Sequence, residues 1–414
     1  VIIHQNGRDE SNDSPAKKMK SDVQPDDELD VDTSKPSALF KPTRGRDWTV
    51  SIALPGSWLL NAKKPDHKIM QVGRIARAAA VFCVDEIVVF DDDPMTIDPK
   101  VVNPKYIGKG KGKQQKTKQE VLNSILEEDE PWQNPDQFLY HVLTYAECPP
   151  HLRQTLFVMH QNLSQAGCLP SMDMPHHLRS HEWCRYREGA IIGPAPAPPV
   201  FTPNGRKLKT TRHQGEYAYV ECGLPYPVRV PTPEGMPIEA NMRATIRFAN
   251  QDPPASWPQI SKADCDALEA IMCSSALPRE ENGYYWGYTT RRAASISDVL
   301  NQCEYTGGYD MTIGTSERGV PIQSIMPGNT LPSHNPVLEP CKHLLIVFGG
   351  VAGLEPALAS DPVLKDLGTA KPTDLFDFWV NLVPGQGSRT IRTEEAVEIG
   401  LCALKPFVDS MSEE

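Results

Sequence analysis

Three stretches in the C-terminal third share one form, an apolar run of strand length that stops at a cluster of glycines. Tyr309-Asp310-Met311-Thr312-Ile313 leads to Gly314-Thr315-Ser316-Glu317-Arg318-Gly319. His343 to Phe348 leads to Gly349-Gly350-Val351-Ala352-Gly353, and Phe378 to Val383 leads to Pro384-Gly385-Gln386-Gly387-Ser388. Each reads as a buried strand with a loop at its carboxyl end. When such strands lie parallel, those loops form the ligand crevice, and glycine lets main-chain N–H and C=O groups approach a bound molecule. The repetition predicts a ligand site without naming the ligand.

The N-terminal half supplies the rest of such a sheet. Thr49 to Leu54 reads as a strand stopping at Pro55-Gly56-Ser57, and Lys68 to Phe82 carries Ile69, Val72, Ile75, Ala76 and Ala79 at helical spacing. Glu86 to Phe90 is a second apolar run. Strand, helix, strand at this spacing is a βαβ unit, which implies a parallel sheet and an α/β fold. No G-x-G-x-x-G follows the first strand, so a dinucleotide-dependent dehydrogenase is excluded. Residues 119 to 180 read as helical. Thr393 reads as the N-cap of a final helix running to about Leu404, with Glu394 and Glu395 suited to its positive end.

The formal charge of −11 argues against binding nucleic acid through overall charge, so any such contact needs local basic patches. Two exist. Between Lys100 and Lys118 there are seven lysines and no acidic residue, with Lys109, Lys111 and Lys113 alternating with glycines. This lacks the spacing and hydroxyl of a P-loop, but suits sequence-independent contact with RNA phosphates. From Arg185 to Arg247 short β-like runs alternate with Pro/Gly turns, as in a small β-barrel. That stretch holds nine basic residues, among them Arg206, Lys207 and Lys209, against five acidic ones, and Tyr217 and Tyr219 beside them suit base stacking.

Ten cysteines without a C-x-x-C pair predict reduced thiols, and Met174 to His181, though histidine-rich, lacks a second ligand pair, so no metal is expected. No apolar run is long enough to span a bilayer, which predicts a soluble intracellular protein without membrane contact. Residues 1–45 are polar and Pro/Ser/Asp-rich and read as a disordered tail. Its Pro15-Ala16-Lys17-Lys18-Met19-Lys20 cluster suits a nuclear localisation signal, so the nucleus, including the nucleolus, is the expected compartment.

Gly314-Thr315-Ser316-Glu317-Arg318-Gly319, Val347-Phe348-Gly349-Gly350 with Gly353-Leu354-Glu355, and Asn381 through Pro384-Gly385-Gln386-Gly387-Ser388-Arg389-Thr390-Ile391-Arg392-Thr393-Glu394-Glu395-Ala396 together resemble the SPOUT-class RNA methyltransferases. The likeness is to the eukaryotic and archaeal branch whose α/β domain is interrupted by an OB-like barrel, and it extends over roughly residues 46 to 408. Pro149, His176-His177 and Tyr284-Tyr285-Trp286-Gly287-Tyr288 also fit.

The resemblance implies a parallel sheet with a C-terminal deep trefoil knot, S-adenosylmethionine bound in that knot, a homodimer, and methylation of a base in RNA, with ribosomal RNA and uridine N3 as the expected target. The implied organisation is a tail at 1–45, an α/β domain at 46–180 carrying the basic loop 100–118, an inserted OB-like barrel at 181–255, the second part of the α/β domain with the knot and cofactor site at 256–408, and a short tail at 409–414. Carried over by motif, the cofactor lies against Arg318, Gly349, Gly350, Asn381, Gln386, Gly387 and Thr390. Arg318 is the first candidate for stabilising the anion of a deprotonated base, and Arg392 with Arg389 the second. Glu317 is a weaker candidate for general base. The rival reading is a non-catalytic RNA-binding or ribosome-assembly scaffold that retains the knot fold; methyl transfer separates the two.

Overall fold

The computed structural model describes residues 42, 44–93, 134–198, 217–233, 235, 237–328, 337–368 and 371–411. Six strands form one sheet: β1 (Thr49–Pro55), β2 (Glu86–Phe90), β8 (Thr289–Ala293), β9 (Met311–Pro321), β10 (His343–Val347) and β11 (Phe378–Asn381). Their order is β11-β9-β10-β1-β2-β8, and every neighbouring pair is parallel. All seven residues of β1 and all five of β2 are buried, as expected when both faces of a parallel sheet are covered. The α/β reading holds.

Three longer helices cover one face: α1 (Pro65–Val81), α2 (Pro135–Glu147) and α3 (Thr393–Ser410). Their apolar sides meet Val50, Ile52, Leu54, Ile87, Val89, Leu344 and Ile346 in the main core. Ala53, Val88, Phe90, Leu345 and Val347 point the other way, onto short helices at Ile296–Asn301, Glu355–Ser360 and Pro362–Asp366. Alternation along the strands thus produces two cores from one sheet.

Five further strands make a second, antiparallel sheet: β3 (Tyr186–Pro194), β4 (Tyr217–Glu221), β5 (Val228–Pro231), β6 (Arg243–Phe248) and β7 (Ala270–Cys273), in the order β5-β4-β3-β6-β7. Its edge strands β5 and β7 also approach one another, so the sheet curls almost into a barrel around Ile191, Ala218, Val220, Val228, Val230 and Ile246. The expected end of the insert at residue 255 is too early, because β7 follows a short helix at Lys262–Ala267 and completes this sheet.

Other expectations are corrected. Between the end of α2 and β3 the chain is mostly irregular, with single turns only, where a helical stretch to 180 was expected. The segment folds back onto α2, where His176 and His177 both reach the Glu147 carbonyl at its C-terminus through Nε2. Among the described residues no group of three or more His, Cys, Asp or Glu is placed to hold a metal. The last helix runs on to Ser410, past Pro406, because Phe407 and Val408 are buried in the main core and hold its final turn. No helix among the described residues is long and apolar enough to cross a membrane.

Candidate active site

The loops that follow β1, β2, β9, β10 and β11 all lie at the carboxyl edge of the parallel sheet, which is where such sheets bind ligands. The first glycine segment is not a terminal loop. Gly314 lies opposite Trp379 and Val320 opposite Val380, so residues 315–319 are looped out between two consecutive partners on β11. The glycines at its feet are sterically required: a Cβ on Gly314 would lie 2.7 Å from the Trp379 ring, and one on Gly319 would lie 2.4 Å from the Val380 carbonyl carbon.

Asn381 ties this bulge to the third loop. Its side-chain amide donates to the Glu317 carbonyl (2.8 Å), and its side-chain oxygen accepts from the Val383 N–H (3.0 Å). Arg318, at the crest, has a side chain 72% exposed and reaches across to Glu355 (3.0 Å), which follows the second glycine loop. In that loop Gly350 and Gly353 pair as an isolated antiparallel bridge. A Cβ on Gly349 would come within 2.5 Å of the Gly353 carbonyl carbon, so this tight crossing admits no side chain there.

The third loop turns at Gly385, whose φ of +76° suits glycine. Gln386 donates from its side chain to the Ser388 carbonyl (2.9 Å), and the Thr390 N–H donates to the Ser388 hydroxyl (3.4 Å). A Cβ at Gly387 would meet open space. Arg389 and Arg392 are exposed. Arg392, not Thr393, caps α3: its N–H donates to the Glu395 carboxylate (3.0 Å). The Thr393 hydroxyl instead donates to the Gly349 carbonyl (3.0 Å), which fastens the start of α3 to the second loop. Arg318, Gly349, Gly350, Asn381, Gln386, Gly387, Thr390 and Arg392 thus all fall on three loops joined by Arg318–Glu355, Asn381–Glu317 and Thr393–Gly349.

Two residues given no role in the sequence reading sit against this edge. Ser57, after β1, donates its hydroxyl to the carboxylate of Asp92, after β2 (2.5 Å). A Cβ on Gly350 would lie 2.9 Å from the Ser57 oxygen and 3.1 Å from the Asp92 carboxylate. The only sequence signal was that each follows an apolar run of strand length; the pairing of β1 with β2 is what brings them together.

Among the described residues, several arginines of this stretch are already engaged within the protein. Arg187 is fully buried and its guanidinium donates to the Cys222 carbonyl (3.2 Å), while Arg247 pairs with Glu281 (2.5 Å). Arg243 bridges Glu147 at the end of α2 (2.6 Å) and Glu188 on β3 (2.7 Å). Burial raises the Glu147 carboxyl, but Arg243 and the His176 ring hold it well below the usual carboxylate range. Burial lowers the neighbouring His177 to about 3, so this imidazole is neutral at physiological pH. Arg187, Arg243 and Arg247 fasten the barrel sheet internally, to α2 and to Glu281. Tyr217 and Tyr219 alternate with buried Ala218 and Val220 and are half-buried on the outer side of β4. Lys109, Lys111, Lys113, Arg206, Lys207 and Lys209 lie outside the described residues.

Comparison with known proteins adds three findings. The family described as "Putative RNA methyltransferase" matches residues 49–404. The 28S rRNA (uridine-N(3))-methyltransferase of Homo sapiens is 38% identical over 370 residues, 89% of this chain and 81% of that one, and its Drosophila melanogaster counterpart is 37% identical over 86% of this chain and 62% of that one. The crystal structure of the SpoU methyltransferase AviRb from Streptomyces viridochromogenes, in complex with the cofactor AdoMet, covers 31% of this chain and 40% of that one at 18% identity and a TM-score of 0.20, a likeness too slight to build on.

Proposed function

The chain belongs to the RNA methyltransferase family matched across residues 49–404, and on that premise we propose that it transfers a methyl group from S-adenosylmethionine to a uridine N3 in 28S ribosomal RNA. The observation that carries this reading is the convergence of three glycine-bearing loops at one sheet edge, in a chain 38% identical over most of its length to the human 28S rRNA enzyme.

The residues present fit the cofactor. Gly349 and Gly387 carry no side chain, and the loops offer main-chain carbonyls and N–H groups that can match an adenosine without introducing a competing charge. Gly349, Gly350, Gln386, Gly387 and Thr390 would hold it, with Asn381 fixing the bulge 315–319 against the third loop. The cofactor supplies a methyl on a cationic sulfur; the protein's part is to orient acceptor and donor and to manage charge. The Arg318 guanidinium is exposed and held by one carboxylate, so an incoming nucleobase anion can recruit it. Stabilising that anion favours loss of the N3 proton. Arg392 and Arg389 border the same loop and suit phosphate contacts.

The trefoil knot is part of the proposal. It is supported by the return of the chain after β11: the Phe348 ring and the Leu382 side chain both lie against Gly400 of α3, and Thr393 is bonded to Gly349, so the start of α3 lies against the loop after β10. A homodimer is supported by an apolar groove of about 610 Å³ between α1 and α3, lined by Ala78, Val81, Phe82, Ile399, Cys402 and Ala403. The OB-like character of the barrel, an insert that extends past residue 255 to include β7, RNA contact through Lys109, Lys111, Lys113, Arg206, Lys207 and Lys209, and a nuclear and nucleolar location complete the reading. Calorimetric titration with S-adenosylmethionine and S-adenosylhomocysteine tests it: wild type binds both, Asn381→Ala binds at least about tenfold more weakly, and a folded wild type that binds neither refutes the cofactor site.

A further inference from the structure

The helix α2 crosses the parallel sheet from one edge to the other. Near its start, the Gly56 N–H in the turn after β1 donates to the Asp136 carboxylate (2.7 Å), and Arg292, near the carboxyl end of β8, donates to the Gln137 side chain. Near its end, Tyr288, which precedes β8, donates its hydroxyl to the Leu143 carbonyl (3.0 Å). The helix therefore begins at the edge that carries the glycine loops and ends at the opposite, amino edge. Its 13 residues cover about 20 Å at a rise of ~1.5 Å each.

The barrel is seated at that far end. Arg243 on β6 grips the Glu147 carboxylate through both terminal nitrogens (2.6 and 2.9 Å) and Glu188 on β3 through Nε (2.7 Å). The Trp286 ring N–H donates to the other Glu188 oxygen (2.7 Å). Gly287, with φ +83°, leaves room for this seat, since a Cβ there would lie 2.5 Å from the Glu147 carboxylate and 2.6 Å from the His176 ring. Trp286, Gly287 and His176, for which the cofactor loops have no use, are thus accounted for. The chain returning from β7 is held at the same edge: the Arg46 N–H, ahead of β1, donates to the Arg279 carbonyl (2.9 Å), and the Arg279 guanidinium donates back to the Arg46 carbonyl (2.9 Å). A cavity of about 820 Å³, lined by Thr49, Glu86, Arg243, Thr245, Tyr288 and Thr289, lies between barrel and sheet edge. A domain seated across such a gap takes its angle from a few directional bonds, and the Arg243 fork supplies three of them.

We infer that the enzyme takes an extended RNA held at two points about 20 Å or more apart, the acceptor uridine at the glycine loops and a flanking segment on the barrel, with Arg243 as the positioning residue that sets their separation. This rests on the methyltransferase reading above and on RNA contact by the barrel. At ~3.4 Å per stacked nucleotide the gap amounts to about six nucleotides. An RNA of about five nucleotides centred on the acceptor reaches only the loops, whereas one of about 25 engages both points. Two linked contacts raise affinity by about 100-fold or more, and only when the linker spans both.

The test compares those two RNAs, both centred on the acceptor uridine of 28S rRNA, by fluorescence anisotropy and by single-turnover transfer from S-adenosylmethionine, using full-length wild type, Arg243→Lys and Trp286→Phe. Arg243→Lys keeps the charge and loses the fork, and Trp286→Phe removes only the bond to Glu188. Wild type should bind the long RNA at least about tenfold more tightly than the short one. Both variants should lose most of that advantage yet match wild type on the short RNA in affinity and transfer rate, with calorimetric cofactor affinity unchanged. A loss of general stability would weaken both RNAs alike, so a uniform loss, or equal affinity of wild type for the two RNAs, overturns the inference. Variants that keep the full advantage remove Arg243 from the role. A long-RNA advantage without transfer to either RNA overturns the enzyme reading and leaves two-point binding standing.

Discussion

Arg243 is the joint on which the barrel sheet and α2 meet, and its removal should be costly in a calculable way. The guanidinium makes three short bonds to two carboxylates: 2.6 and 2.9 Å to Glu147, and 2.7 Å to Glu188. Glu147 and Glu188 retain only 6% and 1% of their side-chain exposure, whereas 33% of the Arg243 side chain is in water. Removing one partner of a buried pair costs about 3–5 kcal/mol because a charge is left without compensation. The exposed third of Arg243 lowers this to about 3 kcal/mol. For a chain of this size each kcal/mol shifts the midpoint by roughly 2 °C, so Arg243→Ala should unfold about 6 °C below wild type at neutral pH. The pH dependence follows from the sign of the shift. In wild type the folded Glu147 carboxyl lies below its unfolded value, so its contribution is complete above the unfolded carboxylate pKa and fades as the pH falls through the folded one. In the variant, burial without Arg243 pushes that carboxyl upward, so the penalty is greatest at neutral pH and shrinks in mild acid. Differential scanning calorimetry at neutral and mildly acidic pH reads both. A shift below about 1 °C, or one that grows in acid, would refute the view that Arg243 compensates buried charge.

Three other outcomes are expected. Gly349→Ala must displace the Gly353 main chain, so calorimetry should show weakened S-adenosylmethionine binding in a folded protein, and unchanged affinity would remove Gly349 from the site. Reversing the charges of Lys109, Lys111 and Lys113 should weaken RNA binding and flatten its salt dependence by up to about three counterions' worth of slope, as read by titration at several salt concentrations. Val81→Arg places a charge in the groove between α1 and α3 and should shift light-scattering mass from dimer to monomer; a mass unaffected by the change would exclude that groove as the interface.

Much of the parallel sheet was readable because buried parallel strands are written as short, continuous apolar runs, and the glycine clusters mark where they end. The bulge at 315–319 was half-legible. Glycines at 314 and 319 signalled irregular backbone, but the same strand resumes at Val320 to pair with β11, which depends on a partner some sixty residues later. Charge was read least well. Arg187, Arg243 and Arg247 counted as a positive surface in composition, yet Arg187 is buried against the Cys222, Arg179 and Glu182 carbonyls, and the carboxylates that engage Arg243 and Arg247 (Glu147, Glu188 and Glu281) lie tens of residues away in sequence. Ser57 and Asp92 were missed for a related reason. Each is an ordinary turn residue, and only the adjacency of β1 and β2 at the sheet edge brings them together beside Gly350.

Methyl transfer is what distinguishes an enzyme from a binding scaffold. Incubating the full chain with S-adenosylmethionine labelled in its methyl group and with unmodified 28S rRNA, then digesting the RNA to nucleosides for mass spectrometry, tests it directly. Label should appear in 3-methyluridine, and none when Arg318 is replaced by Ala. Label-free RNA from a folded, cofactor-binding protein would contradict it and leave a binding scaffold.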